Sequence, residues 1–251
     1  MKIPRFYQNE SFSKIVAEGN ELALSVKNHR HAIQVLRLKR EEKLIIFDGR
    51  GGEYLAHIKD FDKRKSSIQL ESFIDVSRES PLLTTLNLAM IKPDKMDFAI
   101  QKSVELGINS IQPLYCERSV IKIKASRLAK KMEHWQGIII AACEQSGRTK
   151  IPEIREPISL ATCLKEKTSD SLGLVMLPTA EAQLKNVGDP EHDLDQTISL
   201  YIGPEGGFTD HEENEMLENN IKGICFGSRI LRAETAVIAG ITAIQQRWGD
   251  C

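Results

Sequence analysis

Beyond Pro81 the chain alternates short apolar runs with segments of helical period, and this alternation constrains the fold more than any other feature. Residues 86–91 (Leu-Asn-Leu-Ala-Met-Ile) read as a strand. Pro93 suits the first turn of a helix, where its missing N–H costs little. Met96, Ile100, Val104 and Leu106 fit roughly one helical face, and Gly107 fits the stop. Residues 108–115 form the next strand, and a helix is expected from about Ser126 to Cys143. Residues 172–177 and 198–202 are apolar runs of buried-strand type. Asp210 with Glu213 predicts a capping box for a helix through Leu217. Residues 221–226 are strand-like, and residues 235–248 form a closing helix. Strands that alternate with helices imply an α/β domain with a parallel sheet.

The preceding residues follow another rule. Residues 21–26 alternate in part, and Asn28 is placed to cap a short helix running through Ile33 and Leu36. Residues 43–47 are a strand candidate. Asp48-Gly49-Arg50-Gly51-Gly52 is a turn, residues 53–58 start the returning strand, and residues 67–71 make another. Short strands joined by glycine turns suggest a small barrel over residues 1–72. The polar stretch 73–81, ending in proline, is expected to be a linker to a second domain over 82–251. The 251-residue length accommodates one large or two modest domains.

Composition narrows the function classes. A 41% hydrophobic and 27% charged chain is ordinary globular usage. The longest apolar candidate, residues 138–143, is far short of the ~18 residues of a membrane span. The N-terminus lacks the apolar stretch of a signal peptide, so an unexported cytoplasmic protein is expected. The five cysteines are odd in number and lack zinc-ligand spacing, which points to free thiols and no metal. Cys225, in an apolar run, is read as core. Residues 1–150 hold 26 Lys+Arg against 18 Asp+Glu, and residues 151–251 hold 8 against 17. The net charge of −1 thus hides a basic first part and an acidic second part. A polyanionic partner and a merely solvated surface both remain open on charge alone.

Two loops carry most of the chemical signal. Ile202-Gly203-Pro204-Glu205-Gly206-Gly207-Phe208-Thr209 leaves a buried-strand pattern and enters a helix. Ligands of open α/β sheets bind beyond the carboxyl ends of strands, and glycines there allow close backbone approach. A tight turn is the other reading. Phe226-Gly227-Ser228-Arg229-Ile230-Leu231-Arg232-Ala233-Glu234-Thr235-Ala236 also follows a strand and precedes a helix. Two such loops in succession favour a shared pocket. Neither contains the Gly-Lys-Ser/Thr ending of a phosphate loop, which argues against a nucleotide hydrolase. Smaller polar clusters occur at Cys116-Glu117-Arg118-Ser119 and at Ala142-Cys143-Glu144-Gln145-Ser146-Gly147-Arg148. From spacing alone these are helix ends or surface ion pairs.

Together these segments resemble the RsmE family of ribosomal RNA methyltransferases, of the SPOUT (α/β-knot) class. The resemblance spans essentially the whole chain. It includes Ile3-Pro4-Arg5-Phe6, Val35-Leu36-Arg37-Leu38-Lys39, Phe47-Asp48-Gly49, Lys102-Ser103-Val104-Glu105-Leu106-Gly107, Glu117-Arg118-Ser119 and Glu144-Gln145-Ser146-Gly147-Arg148. The most specific parts are the Gly-Pro-Glu-Gly-Gly loop from Gly203 and the Arg-Ile-Leu-Arg-Ala-Glu-Thr-Ala run from Arg229. Two departures stand out. Glu41-Glu42 occupies a turn where the family often has Gly-Asp, and Phe226 stands where leucine is common.

The resemblance implies a PUA-like RNA-binding barrel followed by a SPOUT domain with a deep trefoil knot. It implies S-adenosylmethionine as donor, a homodimer with its active site near the interface, and N3-methylation of one uridine near the 3′ end of 16S rRNA. Leu177, Ile202, Gly203, Pro204, Gly206, Gly227, Ile230, Leu231, Arg232, Thr235 and Ala236 are the expected cofactor contacts. Removing the uracil N3 proton calls for a carboxylate, and the resulting anion calls for a cation. Glu144 and Glu205 are the candidates for the first role, and Arg118 and Arg148 for the second. Arg5, Arg30, Arg37 and Lys39 are the expected phosphate contacts. Rival readings are a methyltransferase of another RNA and a non-catalytic RNA-binding assembly factor.

Overall fold

The computed structural model describes residues 3–12, 19–166, 171–188 and 197–251. The chain divides into two units, one of residues 1–79 with 143–151 and the other of residues 80–142 with 152–251. The first unit therefore takes in a stretch from the middle of the chain, which a reading by composition along the sequence does not express.

The first unit is built on a five-stranded sheet in the order β1-β3-β4-β5-β2. Its strands are β1 (Arg5–Tyr7), β2 (Glu21–Ala23), β3 (Lys43–Phe47), β4 (Glu53–Phe61) and β5 (Ser66–Ile74). β1 runs parallel to β3, and the other pairs are antiparallel. Irregularities at Leu55/Ala56 and Ile58/Asp60 interrupt the β4–β5 register, the device that bends long strands. Alternate side chains Leu44, Ile46, Ala56, Ile58, Ile68 and Leu70 close over Phe6 and Phe12 as one buried cluster.

The helix after β2 begins earlier than the sequence suggests. α1 (Val26–His29) is capped by Ser25, whose hydroxyl accepts from the Asn28 amide at 3.2 Å, and it continues as a π-helical turn over Arg30–Val35. Asn28 is not the cap. Its side chain is buried and donates to the Tyr7 carbonyl at 2.8 Å. Glu41 adopts φ +66° where the resemblance expects glycine, and the turn survives: its amide donates to Ile58 O at 2.9 Å.

Buried charge explains why residues 143–151 belong to this unit. Arg5 pairs with Glu53 and donates to the carbonyls of Gly147 and Arg148 at 3.2 and 3.0 Å. Arg78 reaches Glu53 at 3.3 Å and Gly147 O at 3.0 Å. Glu79 receives Arg148 Nε and Nη2 and the amides of Thr149 and Lys150.

The second unit holds a seven-stranded parallel sheet. Its strands are β6 (Leu83–Ala89), β7 (Ser110–Tyr115), β8 (Glu153–Ile154), β9 (Ile158–Ser159), β10 (Leu172–Met176), β11 (Thr197–Ile202) and β12 (Ile221–Ile224). The order is β12-β10-β11-β6-β7-β8, with β9 also pairing β7. The helices are α2 (Pro93–Glu105), α3 (Ala125–Ser146), α4 (Leu160–Glu166), α5 (Asp210–Glu218) and α6 (Ala233–Trp248). The last turn of α3 falls in the first unit's 143–151 stretch.

Pro93 opens α2 as expected, and Gly107 follows its end at φ +88°. Met96, Ile100 and Val104 are buried. The capping box of α5 is formed one residue earlier than read from the sequence. Thr209 and Glu212 exchange side-chain and amide hydrogen bonds, because Thr209 is the residue with extended backbone. Cys225 is half-buried rather than core, while Cys116, Cys143 and Cys163 are buried. Trp135 is fully buried. Among the described residues, no helix is long and apolar enough to cross a membrane, and no cluster of His, Cys, Asp and Glu is placed to hold a metal.

Candidate active site

In an open parallel sheet the strand order reverses where two neighbouring strands send their chains to opposite sides, and crevices form at the carboxyl ends there. Here β6 lies between β7 and β11. A cavity of about 500 Å3 lies within the second unit at the ends of β10, β11 and β12, within the range of small-molecule sites.

Three loops build it. After β10 come Leu177 and Pro178. After β11 come Gly203, Pro204, Glu205, Gly207 and Phe208. After β12 come Phe226, Gly227 and residues 229–232, leading into Ala233, Glu234 and Ala236 of α6. Lys92 and Lys95, at the start of α2, complete the lining. The wall is apolar at Met176, Leu177, Ile202, Ile224 and Leu231, with charged groups set among these residues.

The Gly-Pro-Glu-Gly-Gly loop is held from outside and inside. Arg118 Nη1 donates to the carbonyls of Gly206 and Phe208 at 3.1 and 2.8 Å. Glu205 Oε1 accepts the Lys92 amide at 3.0 Å. Glu212, buried in the capping box, also accepts the Glu117 amide at 2.8 Å. A carboxylate so placed ties the 116–119 turn to the start of α5.

Gly227 sits at φ +70° and Gly207 at φ +71°, where a side chain is strained. Gly206 has no such backbone demand, and a Cβ there would meet Arg118 Cβ at 3.4 Å, an ordinary contact. The Gly227 turn leads directly into α6, whose first amides face a site suited to a carboxylate. Glu234 lies there in an ion pair with Lys95 at 3.2 Å. Burial opposes its charge, but its own amide and Lys95 outweigh that and hold its carboxyl below the usual value.

Leu177, Ile202, Gly203, Pro204, Gly227, Ile230, Leu231, Arg232 and Ala236 all line the cavity. Gly206, on the loop after β11, and Thr235, in the first turn of α6, lie outside the lining. Glu205 lines it, whereas Arg118 grips its loop. Glu144 and Arg148 belong to the first unit. Glu144 is half-buried and accepts the Tyr7 amide at 2.9 Å, and Arg148 is 3% exposed against Glu79. Their side chains are committed to that unit's own hydrogen bonds.

Arg5, read from sequence as a phosphate contact, is buried against Glu53. Arg30, Arg37 and Lys39 are exposed. Sequence reasoning passed over Lys92 and Lys95, read Glu213 only as half of a cap, and read Glu234 only as part of the loop run. The two lysines lay one turn beyond an apolar strand, which in a parallel sheet is itself a signal.

The residues present fit an adenosyl sulfonium donor. Apolar groups are available for a heteroaromatic ring, the N-terminal end of α6 and Arg232 for a carboxylate, and Glu205, Glu213 and Glu234 for cationic or hydroxyl groups.

Comparison with known proteins agrees with this geometry. Residues 78–245 match the RNA methyltransferase domain family, and residues 27–71 match the RNA methyltransferase PUA domain family. The ribosomal RNA small subunit methyltransferase E of Buchnera aphidicola subsp. Schizaphis graminum is 35% identical over 99% of this chain and 98% of its own. That of Rickettsia conorii is 34% identical over 100% and 98%. The crystal structure of ribosomal RNA small subunit methyltransferase E from Neisseria gonorrhoeae, bound to S-adenosylmethionine, superposes with a TM-score of 0.90 at 36% identity, covering 99% of each chain. A methyltransferase from Legionella pneumophila in complex with the same cofactor gives 0.91 at 35% identity over the whole of both chains. With an RNA methyltransferase domain model matching most of its length, the chain belongs to the ribosomal RNA small subunit methyltransferase E family.

Proposed function

We propose that this protein is an S-adenosylmethionine-dependent methyltransferase of small-subunit ribosomal RNA, acting on N3 of one uridine near the 3′ end of 16S rRNA. The observation that carries the reading is the cavity at the ends of β10, β11 and β12, in a chain whose 36%-identical relative was crystallised with that cofactor. We assign the first unit as a PUA-like barrel that docks RNA and the second as a trefoil-knotted SPOUT domain. The active form is a cytoplasmic homodimer with its active site near the interface. The all-parallel sheet and the convergence of three successive strand-end loops support the second assignment.

When bound, S-adenosylmethionine supplies a methyl group on a sulfonium, which leaves as a neutral thioether. The chain's part is to orient and to manage one proton. The backbone around Gly203 and Gly227 grips the donor, and α6 presents its first amides to a carboxylate. Holding both reactants in line supplies much of the barrier reduction. Glu205 receives the proton from uracil N3. The resulting negative charge spreads to the two uracil oxygens, and Lys92 and Lys95, two of the cations lining the cavity, balance it. Arg118 serves by fixing the loop that carries Glu205. Exposed Arg30, Arg37 and Lys39 supply phosphate contacts, so RNA affinity falls steeply with salt.

The test is methyl transfer from labelled S-adenosylmethionine to small ribosomal subunits lacking the modification, with the product nucleoside identified by mass spectrometry. N3-methyluridine at one site is expected. Transfer to another base or another RNA overturns the substrate. Cofactor binding without any transfer leaves the RNA-binding assembly factor in its place.

A further inference from the structure

The cavity's three carboxylates are not equivalent. Glu205 accepts the Lys92 amide, and Glu234 pairs with Lys95. Glu213, on the first turn of α5, has no cation within ion-pair distance among the described residues. Its Oε2 accepts a hydrogen bond from the Thr179 hydroxyl at 3.5 Å. It lines the cavity together with Leu177, Pro178, Ile224 and Phe226. Burial and the nearby Asp210 push its carboxyl up, while Thr179 and Arg118 pull the other way.

A half-buried carboxylate with one neutral hydroxyl as its partner has acceptor capacity left for donors that arrive with a ligand. A cation would be drawn to the site, but the hydroxyl beside Glu213 matches neutral O–H groups as well. A vicinal diol satisfies the pair best. Its two O–H groups reach the two oxygens of one carboxylate, and the adjoining ring system rests on the apolar wall. Carboxylates recognise ribose in this way in dinucleotide sites.

We propose that Glu213, with Thr179 beside it, is the subsite for the ribose hydroxyls of the adenosyl cofactor. This rests on the cofactor reading above and deepens it. It predicts that the affinity contributed by Glu213 depends on the hydroxyls and not on the methyl group or the sulfonium charge.

The experiment is calorimetric titration of the full chain with S-adenosylhomocysteine and with its 2′-deoxy and 3′-deoxy analogues. Wild type, Glu213→Ala, Glu213→Gln and Thr179→Val are compared. Glu213→Ala is expected to weaken S-adenosylhomocysteine binding at least tenfold, the range for a hydrogen bond to a charged group. The deoxy analogues should bind wild type more weakly, and at least one should be nearly indifferent to Glu213→Ala. Glu213→Gln should fall between, with an unchanged melting temperature. Equal losses for all three ligands, or none, overturn the subsite while leaving the cofactor reading intact. Wild type that binds S-adenosylhomocysteine not at all overturns both. If Glu213→Ala fails to fold, Glu213→Gln and Thr179→Val titrated with the same three ligands decide the question: equal losses for all three, or none, overturn the subsite.

Discussion

Replacing Glu79 by alanine is expected to destabilise the protein by about 3–5 kcal/mol, the cost of breaking a buried ion pair from one side. The geometry supports the upper class of such effects. The side chains of Arg148 and Glu79 are 4% and 8% exposed. Glu79 Oε2 takes Arg148 Nε and Nη2 at 2.8 and 2.5 Å, and Oε1 takes the amides of Thr149 and Lys150 at 3.0 and 3.1 Å. Alanine removes the counter-charge of a buried guanidinium and the acceptor of a fully buried threonine amide. Each orphaned donor alone costs about 1–3 kcal/mol. These penalties overlap, since water entering one cavity relieves both, so they do not sum. Against a typical domain stability of about 5–15 kcal/mol the loss is severe. Glu79→Gln keeps an acceptor and should lose less. Urea unfolding followed by circular dichroism measures both. A loss below about 1 kcal/mol for Glu79→Ala would refute the reasoning. The same logic makes Arg148→Ala a folding variant, so below its melting transition it should retain wild-type affinity for S-adenosylhomocysteine.

Gly227→Val places a β-branched residue at positive φ, which costs about 1–2 kcal/mol locally and should abolish cofactor binding by calorimetry, whereas Gly206→Ala should retain it. Glu41→Gly relieves a left-handed residue at φ +66° and, after the entropy cost of glycine, should stabilise by about 0.5 kcal/mol in chemical denaturation. Burial raises the Glu144 carboxyl above its unfolded value, so the folded state holds the proton more tightly and loses stability as pH climbs through that interval. Glu144→Gln, which still accepts the Tyr7 amide, should therefore equal wild type in acid and match or exceed it at neutral pH in thermal melts. The Cys116 and Cys143 thiols, pushed up to about 12 by burial, should resist iodoacetamide in the native protein while Cys251 reacts, as read by peptide mass spectrometry.

The elements legible in the sequence were those whose signal is local. Residues 43–47 are an apolar run set between a charged stretch and a glycine turn, and they are the strand observed. Pro93 and Gly107 bracket α2 because each satisfies a backbone requirement wherever it sits. The capping box of α5 slipped by one residue, since Thr209/Glu212 and Asp210/Glu213 share one spacing and only the backbone angle of Thr209 decides between them. β8 and β9, two residues each, exist through pairing with β7 and carry no pattern of their own. The cavity was legible where glycines mark strand-end loops. Glu213 was not, because on sequence it was half of a cap, and what sets it facing the cavity is the packing of α5. Glu144 and Arg148, a helix end or surface ion pair by spacing alone, became catalytic candidates, and Arg5 a phosphate contact, only through the family resemblance. Their burial depends on partners far away in the chain, which no local window contains.

Glu79 and Arg148 stand 69 residues apart, and that separation bears on how the protein is born. At about 5–20 residues per second, roughly 3–14 s pass between the synthesis of one and the other. Through that interval the nascent N-terminal region carries Glu79 without Arg148, and Arg5 and Arg78 without the Gly147 carbonyl to which they later donate. The usual vectorial order, in which the leading domain matures before the next is made, is thus closed to this chain. Its first unit waits for a stretch that is translated only after much of the second. A protease-trimmed or recombinant fragment ending at residue 79 would be an unfinished intermediate rather than a portable module, and late chaperone occupancy is the corresponding expectation in the cell.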